Sequence, residues 1–194
     1  FDKIITRTVN GKDATVFLKR DLTDQIPGLK KQNLRHADFA KKSVQDMFSD
    51  ETIKKSTVKI FNYCSSVIAF SNGGGKFTVQ KLPPAVQFSS VNAVLCTDVN
   101  GDGYTDLILG GNNFGFQPQF GRLDASFGHV LLNNGKGNFK YITNKESGIE
   151  LRGQIRDIAE IPGKNLNYIL MLQNDDYPAL FKIRNQPKQT NIKK

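Results

Sequence analysis

The chain has 194 residues, 38% of them hydrophobic and 23% charged, with a formal net charge of +9. That length allows one sizeable core or two small ones, and no apolar run reaches the ~18 residues of a membrane span, so none is encoded here. The positive charge raises nucleic acid and acidic membranes as partners, but Lys and Arg are scattered among acids, as in LKKQNLRHADFAKK (29–42), with no basic stripe interleaved with aromatics, so the reading is a solvated basic surface and no specific nucleic acid.

Taken in chain order, IITRTVNGKDATVFLKR (4–20) reads as two strands around an Asn-Gly turn at Asn10 and Gly11. Pro27 and Gly28 break the chain. The stretch NLRHADFAKKSVQDMF (33–48) then carries Phe39, Ala40, Val44, Met47 and Phe48 at helical spacing, which predicts an amphipathic helix within a helical insertion at about 29–48. From STVKIFNYCSSVIAF (56–70) onward the runs are short, β-branched and aromatic. They continue through KFTVQKL (76–82), VNAVLCT (91–97), DLILGG (106–111), HVLLNN (129–134), FKYIT (139–143), QIRDIAEI (154–161) and YILMLQN (168–174). Turns such as SNGGGK and NNGKGN punctuate them. The pattern predicts an all-β fold: sandwich, barrel or propeller.

Cys64 and Cys96 cannot by themselves build a disulfide framework or a zinc site. Both sit in strand-like apolar runs, which predicts two buried thiols, with a bridge between them as the alternative. The chain opens FDKIITRTVNGKD, without an initiator methionine, a signal segment or a lipid-attachment cysteine. It is read as a piece of a longer precursor. The tail NQPKQTNIKK (185–194) is polar and basic, and disorder is expected there.

An internal repeat narrows the architecture. VIAFSNGGGKFTV (67–79) aligns without a gap on HVLLNNGKGNFKY (129–141), at an offset of 62 residues (139 − 77). NAVLCTDVNGDGYTDLILGGN (92–112) then falls on QIRDIAEIPGKNLNYILMLQN (154–174). Residues 67–112 and 129–174 are therefore expected to be equivalent units, with Phe77 and Phe139 in matching buried places. A unit of this kind must stack on neighbours to bury its faces.

The first unit contains DVNGDGYTD (98–106). Asp98, Asn100 and Asp102 offer side-chain oxygens at alternate positions, Tyr104 offers its backbone carbonyl, and Asp106 closes the set as a strand begins. Gly101 and Gly103 free the backbone where it must turn sharply. An all-oxygen donor set suits Ca²⁺, so calcium is the expected ligand of these five residues. An EF-hand is excluded, because Leu109 stands where that loop needs a bidentate Glu and because strands flank the loop. In the second unit Pro162 and Lys164 replace donors, and no metal is expected there.

These residues carry a resemblance. NGGGKF followed by DVNGDGYTDLILGG is similar to an FG-GAP (VCBS) repeat, the blade unit of integrin-α-like β-propellers. RDLTDQIPGLKK, GGNNFGFQPQFGRLDAS and LLNNGKGNF resemble the C-terminal part of bacterial VCBS proteins related to cartilage acidic protein and the UnbV/ASPIC group. The resemblance covers most of residues 1–184. It implies propeller blades over that stretch, with the remaining blades upstream, and calcium at Asp98, Asn100, Asp102, Tyr104 and Asp106. It also implies export: a periplasmic, outer-membrane-associated or extracellular place. Some relatives are labelled RNA-binding, and no residue here supports that label.

No catalytic constellation stands out. His36 and His129 are the two histidines, and neither has a nucleophile in an elbow motif. GGGKFT (73–78) lacks the Ser/Thr and the helix of a phosphate loop and reads as a β-turn. Asp124, with Arg122, either lines a functional loop or holds the long connection. Phe114, Phe116 and Phe120 either pack over the unit or face a partner. Two function classes remain. One is a non-enzymatic calcium-binding module that docks a protein or glycan partner at the cell surface. The other is part of a propeller enzyme whose active site lies in blades outside this chain.

Overall fold

The computed structural model describes residues 2–184, so the tail 185–194 and the disorder expected of it lie outside the described residues. The chain divides into two compact units, Phe1–Asn62 and a second from Tyr63 on. Its strands form four small antiparallel sheets, none closed into a barrel among the described residues, and the helices are short. No helix there is long and apolar enough to cross a membrane.

The first unit opens with a hairpin of β1 (Thr6–Val9) and β2 (Lys12–Thr15). Asn10 and Gly11 both have positive φ, as the tight turn requires. Four short helices follow: α1 (Lys19–Gln25), α2 (His36–Phe39), α3 (Val44–Met47) and α4 (Asp50–Lys55). The single helix expected within 29–48 is thus two four-residue pieces. The helix restarts because Ser43 is extended and caps α3, its hydroxyl accepting from the Asp46 amide while the Asp46 carboxylate accepts from the Ser43 amide. Phe39 and Met47 still reach the core with Leu22 and Leu29, and Phe48 packs against it, but Ala40 is exposed. The same cap docks the hairpin. Lys12 pairs with Asp46 at 3.2 Å, and Gln45 exchanges hydrogen bonds with the amide and carboxylate of Asp13. The Ser43 amide and hydroxyl, then Lys12, hold the Asp46 carboxyl at a pKa of about 2.

The second unit holds three sheets. A hairpin pairs β3 (Val67–Ser71) with β4 (Phe77–Lys81). A four-stranded meander joins β5 (Val91–Thr97), β6 (Asp106–Gly111), β7 (His129–Asn133) and β8 (Phe139–Ile142). After α5 (Asn144–Ser147) comes a three-stranded sheet of β9 (Ile155–Ile161), β10 (Tyr168–Gln173) and β11 (Ala179–Lys182). Strands β3 and β7, and β6 and β10, begin and end 62 residues apart, and the two hairpins share a register, Ser71 opposite Phe77 and Asn133 opposite Phe139.

Side-chain alternation sends the two faces of the meander to different cores. Ile108, Val130 and Ala93 join Ile155, Ile158, Ile169 and Met171 of the three-stranded sheet. Leu109 and Leu131 face the other way, onto Leu82 and Val86, with Ile68 of β3 packed alongside. The approach to β9 is so close that a Cβ on Gly110 would overlap Ile155.

Three expectations are corrected by this packing. Phe77 is 59% exposed, whereas Phe139 packs against the Leu109–Leu131 cluster, because nothing covers the outer face of the two-stranded hairpin among the described residues. The run expected as a strand from 56 forms one only from Val67. Residues 57–66 find no strand partner, and Val58, Ile60, Phe61 and Tyr63 are exposed. β-propensity without a partner strand does not make a strand. Both cysteines are free and exposed, Cys64 in that unpaired segment and Cys96 on the bare face of β5 beside the exposed Val94.

Two substitutions test these contacts. Ser43→Ala removes the cap of α3 and should destabilise the protein by about 1 kcal/mol in urea titrations. Gly110→Ala forces a methyl into the Ile155 side chain and should cost more, about 1–3 kcal/mol. Equal midpoints for Gly110→Ala and the parent chain would rule out the close contact of β6 with β9.

Candidate metal loop

The candidate site is the turn between β5 and β6, which are antiparallel neighbours. The loop builds itself from its own acids. Asp98 accepts the amides of Gly101, Asp102 and Gly103 at 2.7, 3.2 and 2.8 Å. Asn100 Oδ1 accepts from the Asp102 amide, its Nδ2 donates to Asp102 Oδ2, and Asp102 Oδ1 accepts the Tyr104 amide at 2.9 Å. Gly101 and Gly103 have φ of 79° and 88°, a region other residues adopt only with strain.

Asp106 differs from the rest. It is fully buried. One carboxylate oxygen accepts the Val99 amide at 2.9 Å and the other the Asn133 amide at 2.7 Å. Burial pushes its carboxyl above the ordinary Asp range. The two amides oppose that shift, and the charges of Asp102 and Asp98 add to it. No Lys or Arg forms an ion pair with it among the described residues.

All five expected residues therefore lie in one hairpin loop, with Asp98, Asn100 and Asp102 toward its tip and Asp106 at its buried base. Among the described residues no three His, Cys, Asp or Glu side chains are drawn together as a metal-holding group, since the loop oxygens are turned onto backbone amides. The donor chemistry still fits a hard cation. It is all oxygen, and three carboxylates share one short loop.

Two supports of the loop were not legible beforehand. Asn133, at the end of β7, gives its amide to Asp106 and its side-chain amide to the Thr105 carbonyl at 3.1 Å. The Tyr104 ring lies against Gly135, where a Cβ would overlap it. The sequence signal for both is the NNGKGN turn that follows β7.

A second buried polar cluster stands at the other end of β6. Asn112, fully buried and at φ 80°, donates to the carbonyls of Ser126, Arg152 and Gly153 and accepts from the Ser89 hydroxyl and the Ser126 amide. Ser126 Oγ lies 3.1 Å from His129 Nε2. Asp124 pairs with Arg152 at 3.0 Å and Arg122 at 3.7 Å, and Arg122 covers the Phe114 ring at 3.7 Å. These contacts hold the long connection in place. Phe116 and Phe120 remain partly exposed. His36 is exposed on α2.

No family model, no curated protein and no solved structure matches this chain.

Burial pushes the His129 imidazole below its usual 6.5, and its Nδ1 has no hydrogen-bond partner. The folded chain therefore holds His129 neutral where the unfolded chain would protonate it. Its contribution is fully present above pH 6.5 and is lost as pH falls below that value. Unfolding free energies measured from pH 7.5 to 5 should decline more steeply for the parent chain than for His129→Gln. Parallel curves would show that His129 is not the group responsible.

Proposed function

We propose that this chain is a non-enzymatic, calcium-binding β-propeller module that mediates protein or glycan interaction in an exported or cell-surface bacterial complex. The observation that carries the reading is the loop 98–106. Three carboxylates and one amide oxygen are set on alternate residues, and the last carboxylate, Asp106, is buried with no Lys or Arg paired to it among the described residues. The side chains of Asp98, Asn100, Asp102 and Asp106, with the Tyr104 carbonyl, would hold the ion. A bound calcium would add positive charge among these oxygens.

The propeller reading is supported by the recurrence of strands at 62 residues and by sheets packed on both faces of the meander. The meander has four strands, the usual content of a blade, while its neighbours have two and three. Further blades, upstream of this segment, would supply the strands that these lack. The bare face around Val94 and Cys96 lies where the hairpin β3–β4 has no further strands beside it. Phe116 and Phe120 offer apolar surface to a partner. Calcium acts here on structure, because its donors come from one hairpin and no His or Cys lies within it.

Calcium that binds only the folded chain at a hundredfold excess over Kd stabilises it by about 2.7 kcal/mol. Added calcium should raise the melting temperature, chelator should reverse the rise, and Asp102→Ala should abolish the response. Identical melts in calcium and chelator, with no calcium found by elemental analysis, would refute the metal site.

A further inference from the structure

A cavity of about 630 Å³ opens between the meander and the three-stranded sheet. Its cause is the unequal strand count. The meander has β8 as its fourth strand, whereas the facing sheet ends at β11. Beside β8 the two sheets are therefore not closed over each other. The floor is made by Ile108, Val130, Ile149 and Ile169, all buried, and Leu132, Ile142 and Phe181 form partly exposed walls. Such a volume lies within the ~300–1,000 Å³ of small-molecule sites.

The rim is cationic on balance. Lys145, Lys182 and Arg184 stand at the mouth, exposed, and none forms an ion pair among the described residues. The single acid there, Glu146, is already engaged. Its Oε2 accepts the Thr143 hydroxyl at 2.6 Å and the Thr143 amide at 3.0 Å, and these bonds hold its carboxyl below the ordinary range. The mouth thus carries three cations against one carboxylate, a net positive charge above an apolar interior.

We propose that this cavity binds a single-chain amphiphile with an anionic head, a free long-chain carboxylate, its chain on the isoleucine floor and its head at Lys182 and Arg184. Charge complementarity favours this occupant over the segment 185–194, whose sequence has Lys188, Lys193 and Lys194 and only Ile192 to suit an apolar floor. A sugar or nucleotide would leave the apolar walls unmatched and its own hydroxyls without partners inside. The cavity also borders the loop 98–106 through Val99 and Asn100, so the test is run in chelator to keep metal binding apart from it.

The experiment is isothermal titration of the full chain with dodecanoate below its micelle concentration. Saturable binding of one molecule per chain is expected, and methyl dodecanoate, which lacks the charge, should bind at least tenfold more weakly. The double variant Lys182→Glu/Arg184→Glu changes only exposed side chains and should weaken dodecanoate at least tenfold while leaving the ester unchanged. Ile142→Trp, which fills the mouth, should abolish both, with unchanged melting showing that it folds. No saturable binding, or equal affinity for acid and ester, would overturn the proposal. So would binding to anionic phospholipid vesicles without binding to dodecanoate, since a membrane surface and not a single chain would then be the partner.

Discussion

The second unit depends on a buried negative charge. Asp106 begins β6 with its carboxylate out of water, and burying a charge is costly unless hydrogen bonds compensate. Here two backbone amides do so, one from Val99 on the far side of the loop and one from Asn133 at the end of β7. The same side chain therefore closes the loop and fixes β7 beside β6. Once Asn133 is placed, the NNGKGN turn brings Gly135 under Tyr104. The loop tip is then held from the side as well as from its base.

The other end of β6 is tied in a comparable way. Asn112 satisfies its side chain with five partners from three segments, all around a residue that is fully buried. Between these two polar anchors β6 is apolar, with Ile108 and Leu109 on opposite faces. Apolar contacts alone are tolerant of sliding, and a one-residue slip would swap the two faces. A slip would also leave Asp106 and Asn112 buried without their partners, each at a cost of about 1–3 kcal/mol or more. The polar ends thus fix the register that the apolar middle stabilises.

Local signals were legible in the sequence wherever the cause is local. The Asn10–Gly11 turn, the strands from Val67 to Gln173 and the loop 98–106 each follow from residue type and spacing within one segment. What failed depended on partners distant in the chain. Phe77 and Phe139 have the same register in equivalent hairpins, yet only one has a neighbour above it. Cys64 and Cys96 sit in apolar runs, but exposure depends on whether another element covers the face. The helix expected in 33–48 has correct apolar spacing. It is interrupted because the Ser43 cap, an equally local signal, outweighs continuity across Lys41 and Lys42. Ser43-Val-Gln-Asp46 was the visible clue, since Ser with an acid three residues later marks a helix start. The buried roles of Asn112 and Asn133 had no local signal beyond their place at strand ends.

Comparison of the two repeated loops separates what the fold needs from what the acids need. At the 62-residue offset Asp98 corresponds to Glu160, Asp102 to Lys164 and Asp106 to Tyr168. The hairpin of β9 and β10 forms all the same. The acid that corresponds to Asp98, Glu160, is satisfied by neutral donors, accepting from the Thr97 hydroxyl at 2.5 Å and from the Asn167 side-chain amide. The second loop lacks the donor set of the first, with Pro162, Lys164 and Tyr168 where Asn100, Asp102 and Asp106 stand. The first loop has three carboxylates, one of them shifted up chiefly by its burial, with a smaller addition from the charges of the other two. Backbone amides of the loop and of Asn133 donate into this acidic cluster, and like charges so close repel one another. The oxygen donors proposed for a cation thus belong to residues 98–106 and not to the strand–turn–strand unit. The metal, on this reading, is a property of one copy of the repeat, and Glu160 supplies the corresponding link in the other by joining β9 to β5 through Thr97.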